Sequence, residues 1–140
     1  MTLSDAAETD ILELIFNNTA WLTVAAAGAL GNLYVSLHTG DPGDAGNQGT
    51  SEANYTGYAR EAVARTTAGW TVTNDEAANT AAITFGECTA GSSAVTHFGI
   101  GTDLSGAGNL LMSGSLGATL SITAGITPEF ALGQLTVTAA

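Results

Sequence analysis

After Gly31 the apolar residues of this chain recur at every second position. Leu33, Val35 and Leu37 alternate with Tyr34, Ser36 and His38, a period that places one set of side chains on a single face of a strand. The run stops at Gly40-Asp41-Pro42-Gly43, where proline presets φ and glycine accepts a positive one. From Tyr58 onward, short Thr- and Val-rich runs return between turn residues. Strands are predicted over 58–65, 69–73, 80–87, 95–101, 109–114, 119–124, 127–131 and 134–139, in addition to 33–38. That spacing predicts a mainly-β fold, a β-sandwich or jelly-roll-like architecture over 33–139. No lysine or proline blunts the sheet edges, which points to edges or faces covered by neighbours.

The segment ahead of Gly31 has a different period. Ala7, Ile11, Leu14, Ile15 and Asn18 recur at three to four residues, leaving Glu8, Thr9 and Glu13 outside the stripe, and this predicts one short N-terminal α-helix over 4–18. Ser4 is its expected N-cap, Asp5 and Glu8 favour the positive end of the helix dipole, and Asn17 and Asn18 are expected terminators. A second helical stretch over 20–30 is suggested by its alanines and weakened by its glycines. Residues 40–57 hold five glycines and almost no large apolar side chain, and are read as a long exposed loop.

The 140 residues suit a single domain spanning 1–140. A chain of this size buries roughly 68–70 % of the surface of its unfolded form, enough to fold without disulfides. Alanine, threonine and glycine make up 64 of the residues, against 37 large apolar ones. Small side chains bury little area each, so a lone core is thin and burial against copies or a partner is expected.

Charge narrows the function. The chain has no lysine, and Arg60 and Arg65 stand against thirteen carboxylates for a net charge of −11. Nucleic-acid binding needs clustered cations, and so does attachment to an anionic membrane; neither partner is expected. The stretch from Trp21 to His38 is broken by Gly28, Gly31 and Asn32 and lacks basic flanks, while the N-terminus carries Asp5, Glu8, Asp10 and Glu13. No membrane span or signal peptide is read from them, and the protein is expected to be soluble.

Candidate chemistry is sparse. Cys88 is the sole cysteine, so an internal disulfide and a four-cysteine zinc site are out, and a small buried thiol is expected. His38 and His97 could join Cys88 at a metal, but no short ligand spacing is present, and hydrogen-bonded structural histidines are expected instead. Asp41, Asp44 and Asn47 offer oxygen ligands in a Gly-rich loop. Glu52 does not fall where a closing calcium ligand would, and turn geometry is the simpler role.

Ser92-Ser93 and Ser113-Gly114-Ser115 do not match a nucleophile elbow. Gly99-Ile100-Gly101 lacks the third glycine and helix of a dinucleotide fingerprint. Nothing in the sequence sets Glu61 and Glu129, or Asp75 and Glu76, across a cleft as a glycosidase pair. No catalytic, cofactor-binding or metal residues are assigned, and no enzyme is expected. Arg60, in Tyr58-Ala59-Arg60-Glu61-Ala62-Val63, is expected to pair with Glu61 or another carboxylate, to stack on Tyr55 or Tyr58, or to meet a neighbouring subunit.

Several segments together resemble a known family. Leu33-Tyr34-Val35-Ser36-Leu37-His38-Thr39-Gly40-Asp41-Pro42-Gly43 precedes a Gly/Asn/Glu loop. Then come Tyr58-Ala59-Arg60-Glu61-Ala62-Val63, Val95-Thr96-His97-Phe98-Gly99-Ile100, a Gly-rich turn and Asn109-Leu110-Leu111. This order is similar to small tailed-phage virion proteins labelled tail-fibre-like or minor structural, over about residues 5–138. The resemblance implies a virion component without catalytic residues. Absence of heptads and stalk repeats argues against a true fibre. The size and class are similar to capsid decoration (cement) proteins that bridge capsomers from outside the shell.

The function expected is therefore a decoration protein, a homotrimer bound to the major capsid protein. A tail or tail-fibre adaptor comes second, and a carbohydrate-binding module with Trp21, Trp70 and Tyr55 as stacking surfaces third. The 40–57 loop and the N-terminal helix are the expected contact elements.

Overall fold

The computed structural model describes residues 5–19 and 31–139. The second helical stretch expected over 20–30, Ser4 and Trp21 lie outside the described residues. Among the described residues one helix, α1 (Asp5–Asn17), precedes nine strands: β1 (Asn32–His38), β2 (Glu61–Ala64), β3 (Trp70–Thr73), β4 (Glu76–Asn79), β5 (Ile83–Thr84), β6 (Ser92–Gly101), β7 (Leu110–Thr123), β8 (Glu129–Phe130) and β9 (Thr136–Thr138). They form sheets in the orders β2-β1-β6-β7, β3-β4-β9 and β5-β8. The chain is mainly β with a short N-terminal helix, consistent with a β-sandwich. Its contacts divide it into two compact units, one of residues 33–63 and 84–129, the other of the remaining described residues.

The larger unit is built on the antiparallel pairing of β1 with β6, from Tyr34 opposite Gly101 to His38 opposite His97. Leu33, Val35 and Leu37 are buried, as the period of two requires. Ser36 and His38 are fully buried as well, because β1 is an inner strand and the 48–53 segment returns along it. There Ala53 N donates to Leu37 O and Thr39 N to Ser51 O.

The 40–57 stretch is therefore not an exposed loop throughout. Gln48, Ala53 and Tyr55 are all buried, and the absence of large aliphatic residues concealed a segment anchored by hydrogen bonds. Strand β7 runs unbroken where two strands were expected. The register with β6 slips between the pairs His97–Ser115 and Val95–Leu120. Gly117, at φ 78°, sits in the resulting bulge, so a turn signal in the sequence marks a kink in one strand.

The smaller unit packs α1 against the β3–β4 hairpin. Among the helix side chains described, Leu12 and Phe16 are buried, whereas Ile11, Leu14 and Ile15 are half-buried. The apolar face is thus centred one residue away from the predicted stripe, because the helix turns its largest side chain toward Trp70. The two rings meet edge to face with centroids 4.6 Å apart. Asn18, at φ 56°, ends the helix as expected.

The C-terminal carbonyls of Leu14 and Ile15 accept from the Arg65 guanidinium. No basic residue lies in the last turn of α1, so a cation distant in sequence satisfies that end and its dipole. Strand β4 was not predicted. Glu76-Ala-Ala-Asn has low strand propensity, yet it pairs on both sides, with β3 and β9. Buried Asn79 fixes the C-terminal segment by donating to Ala81 O and Ala131 O and accepting from Leu135 N.

Phe16→Ala removes half of the Phe16–Trp70 contact. It is expected to destabilise the protein by about 3–5 kcal/mol, read as a lower urea midpoint at unchanged slope.

Candidate functional site

The densest polar cluster lies in the larger unit around Arg60, whose side chain is 3 % exposed. Its Nε donates to Glu52 Oε1 at 2.7 Å and Nη2 to Glu52 Oε2 at 2.8 Å, a two-pronged pair. Two further N–H groups reach loop carbonyls, Nη1 to Asp103 O at 2.9 Å and Nη2 to Gly106 O at 2.6 Å. Tyr58 donates its hydroxyl proton to Glu52 Oε1 at 2.8 Å and accepts from Leu37 N at 3.1 Å.

The sequence offered Glu61 as a partner; the structure selects Glu52, which forms a bridge with His38 at the end of β1. Hydrogen bonding to Glu52 holds the Arg60 pKa above its ordinary value, and burial pushes that of Tyr58 far above the phenol range. Tyr58 lies between Tyr55, edge to face at 5.5 Å, and Phe85, stacked at 6.3 Å. Fully buried Gln48 ties down the same 102–109 loop. Its Oε1 accepts from Asp103 N at 2.9 Å, its backbone N donates to Ala107 O at 2.9 Å, and its Nε2 donates to Tyr34 O at 3.4 Å.

His38 and His97 face each other across the β1–β6 ladder. His38 Nδ1 lies 2.8 Å from Thr50 O, and Nε2 2.8 Å from Ser36 Oγ. A carbonyl only accepts, so Nδ1 carries the proton and Nε2 accepts from the serine. Burial lowers the His38 pKa against a smaller opposing effect of that Thr50 bond. Both ring nitrogens serve structure, the role expected of them.

Gly99 opposes Ser36, and a Cβ there would stand 2.6 Å from His38 Nε2 and 2.7 Å from Ser36 Oγ. The bare backbone of Gly99 thus makes room for the Ser36–His38 pair where the 33–43 and 95–100 segments meet. Cys88 is buried and its thiol faces Ala90 O and Gly91 O. Among the described residues, no three His, Cys, Asp or Glu side chains are grouped to hold a metal ion. Asp41 Oδ1 accepts from Gly43 N, and Asn47 Oδ1 from Gly49 N, each at 2.9 Å, which is turn geometry.

The remaining residues raised by the sequence are dispersed. Glu129 accepts from Thr84 at 2.8 Å, and the carboxyl of Glu61 is pushed up by burial. Asp75 and Glu76 lie at the β3–β4 turn, Ser92 and Ser93 on β6, and Ser113 and Ser115 on β7. Trp70 is fully buried and Tyr55 is 3 % exposed, so neither is a stacking surface for a sugar; each is held by a neighbouring ring.

Both arginines are buried, Arg60 at 5 % and Arg65 at 8 % exposure. With no lysine in the chain, no strong side-chain cation is presented to solvent. Sequence reasoning had the net charge but not this segregation.

The family model of podophage GP4 fiber I protein gp80 matches residues 2–138. The chain belongs to that family. The gp80 family is one of tailed-phage virion proteins, as the segment order in the sequence implied, and the virion is where this chain is located. No curated protein matches it significantly. What marks this gp80-family chain is a set of buried polar contacts that tie loops to strands, beneath a surface without strong cations.

With His38 neutral in the fold and an ordinary pKa of about 6.5 in the unfolded chain, the unfolded state binds more protons as pH falls through that value. The resulting stability is present above about pH 6.5 and is lost below it. The stability of wild type relative to His38→Asn, measured by urea unfolding, is expected to decline from pH 7.5 to pH 5. Glu52, Arg60 and His97 all act on this histidine, and comparison with the variant isolates its own contribution.

Proposed function

We propose that the protein is a non-enzymatic structural part of the fibre apparatus of the phage tail, acting as a small adaptor that fits other virion proteins. The observation that carries this reading is the family match over nearly the whole chain to a protein described as a fibre component. The site geometry supports it. The side chains that suggested chemistry are distributed among turns, a helix end and loop clasps, and the largest of these clusters fixes backbone.

An anionic exterior with both arginines inside suits docking on a neutral or basic surface of a partner, with carboxylates around the contact disfavouring wrong neighbours. Capsid decoration, in which trimers of the chain bridge copies of the major capsid protein, is the second reading. Its support is the small mainly-β fold and the solubilising charge.

Quantitative mass spectrometry of purified particles separates the two. A copy number of a few to a few tens, with antibody label at the tail, is the expected result. Hundreds of copies in fixed ratio to the shell protein would replace the fibre reading with decoration, and absence from particles would overturn both.

A further inference from the structure

Strand β7 is the outermost strand of the four-stranded sheet. Among the described residues its outer edge has no backbone partner; the one such bond outside the ladder is at its last residue, where Thr123 O accepts from Ile126 N. At 14 residues it is the longest strand, and it carries no proline and no charge. The uncharged stretch extends from Leu104 to Pro128.

Among the described residues, four of the five exposed large apolar side chains fall in this stretch: Leu104, Leu111, Leu120 and Ile126. Beside the strand lies a shallow groove of about 260 Å³, lined by Leu110 to Ser113 on one side and by Gly43, Asp44 and Gly46 on the other. An uncharged edge with open N–H and C=O groups is a template for another strand.

We propose that the β7 edge, over 110–115 ahead of the bulge, is a self-association surface that pairs antiparallel with the same edge of a second copy. Charge selects this occupant. Two copies at −11, with no strong cation outside, repel wherever their carboxylates meet. Pairing this edge about a two-fold axis sets uncharged residues against uncharged residues. The bulge at Gly117 turns the strand away beyond Ser115, which limits the pairing to the straight portion.

The straight portion, six residues from Leu110 to Ser115, spans roughly 20 Å when extended, and it carries the exposed Leu111. The pairing rests on the virion-structural role only in that such a role brings copies together.

The test is sedimentation velocity of the full chain, wild type against the Leu111→Asp/Ser113→Asp double variant, with circular dichroism confirming the fold. Thr136→Asp and Thr138→Asp, on β9 at an edge of the three-stranded sheet, serve as controls. Wild type is expected to form a dimer or higher assembly. The β7 variant should weaken it at least tenfold, while the β9 variants leave it unchanged.

A wild type that stays monomeric at the highest reachable concentration overturns the pairing. So does a β7 variant that associates normally, or an equal loss in the β9 variants. A monomer that still enters particles overturns the edge pairing alone and leaves the virion role standing.

Discussion

A guanidinium with two N–H groups on one carboxylate and two more on backbone carbonyls is a rigid fixture, and Arg60 is one. Removing a charged pair from water is unfavourable, and the pair is tolerated only where hydrogen bonds satisfy what the partner ion does not. Here they do. Glu52 takes Nε and Nη2 and also the Tyr58 hydroxyl, while Asp103 O and Gly106 O each take one further N–H. Losing Glu52 would leave the buried guanidinium without its ion partner, a change of about 3–5 kcal/mol in comparable cases. Gln48 reaches the same loop from the 40–57 segment, so two long irregular connections become part of the larger unit's core. A chain rich in alanine, threonine and glycine gains from such fixtures what it lacks in large apolar side chains.

The same economy of cations shapes the exterior. Arg60 serves the loops and Arg65 the end of α1, and no lysine replaces them outside. The result is a strongly anionic molecule with an uncharged span from Leu104 to Pro128. For a protein of a virion family, acidity keeps free copies soluble and apart, and the neutral strand offers a place where contact is not penalised. Stability and assembly are linked through where two arginines are placed.

Much of this fold was legible in the sequence. The change of period at Gly31 located α1 and β1, and Asn18 ended the helix where its residue type said it would. Misses have physical causes. Glu76-Ala-Ala-Asn lacks strand propensity and forms β4 because strands on both sides hold it. Gly117 reads as a turn but produces a bulge, since β6 continues opposite. Leu12 and Phe16 displaced the predicted helix stripe because the Trp70 ring offers the largest partner surface.

For the cluster, the sequence identified Arg60 and a carboxylate partner, but Glu52 and Glu61 are equally plausible without the return of the 48–53 segment along β1. Gln48 had no signal at all. The burial of a glutamine is decided by the backbone groups that meet it, and those come from residues 34, 103 and 107. Trp70 and Tyr55 looked like aromatic platforms because composition cannot tell a core ring from a surface one.

The most direct measurement is residue-resolved amide hydrogen exchange on wild type and Arg60→Met. If Arg60 fastens the loops as described, protection falls together at Gln48, Ala53 and Asp103, while the amides of α1 and the β3–β4 hairpin keep their wild-type rates. Unchanged protection in the 102–109 loop, or a uniform loss across the whole chain, would contradict the account.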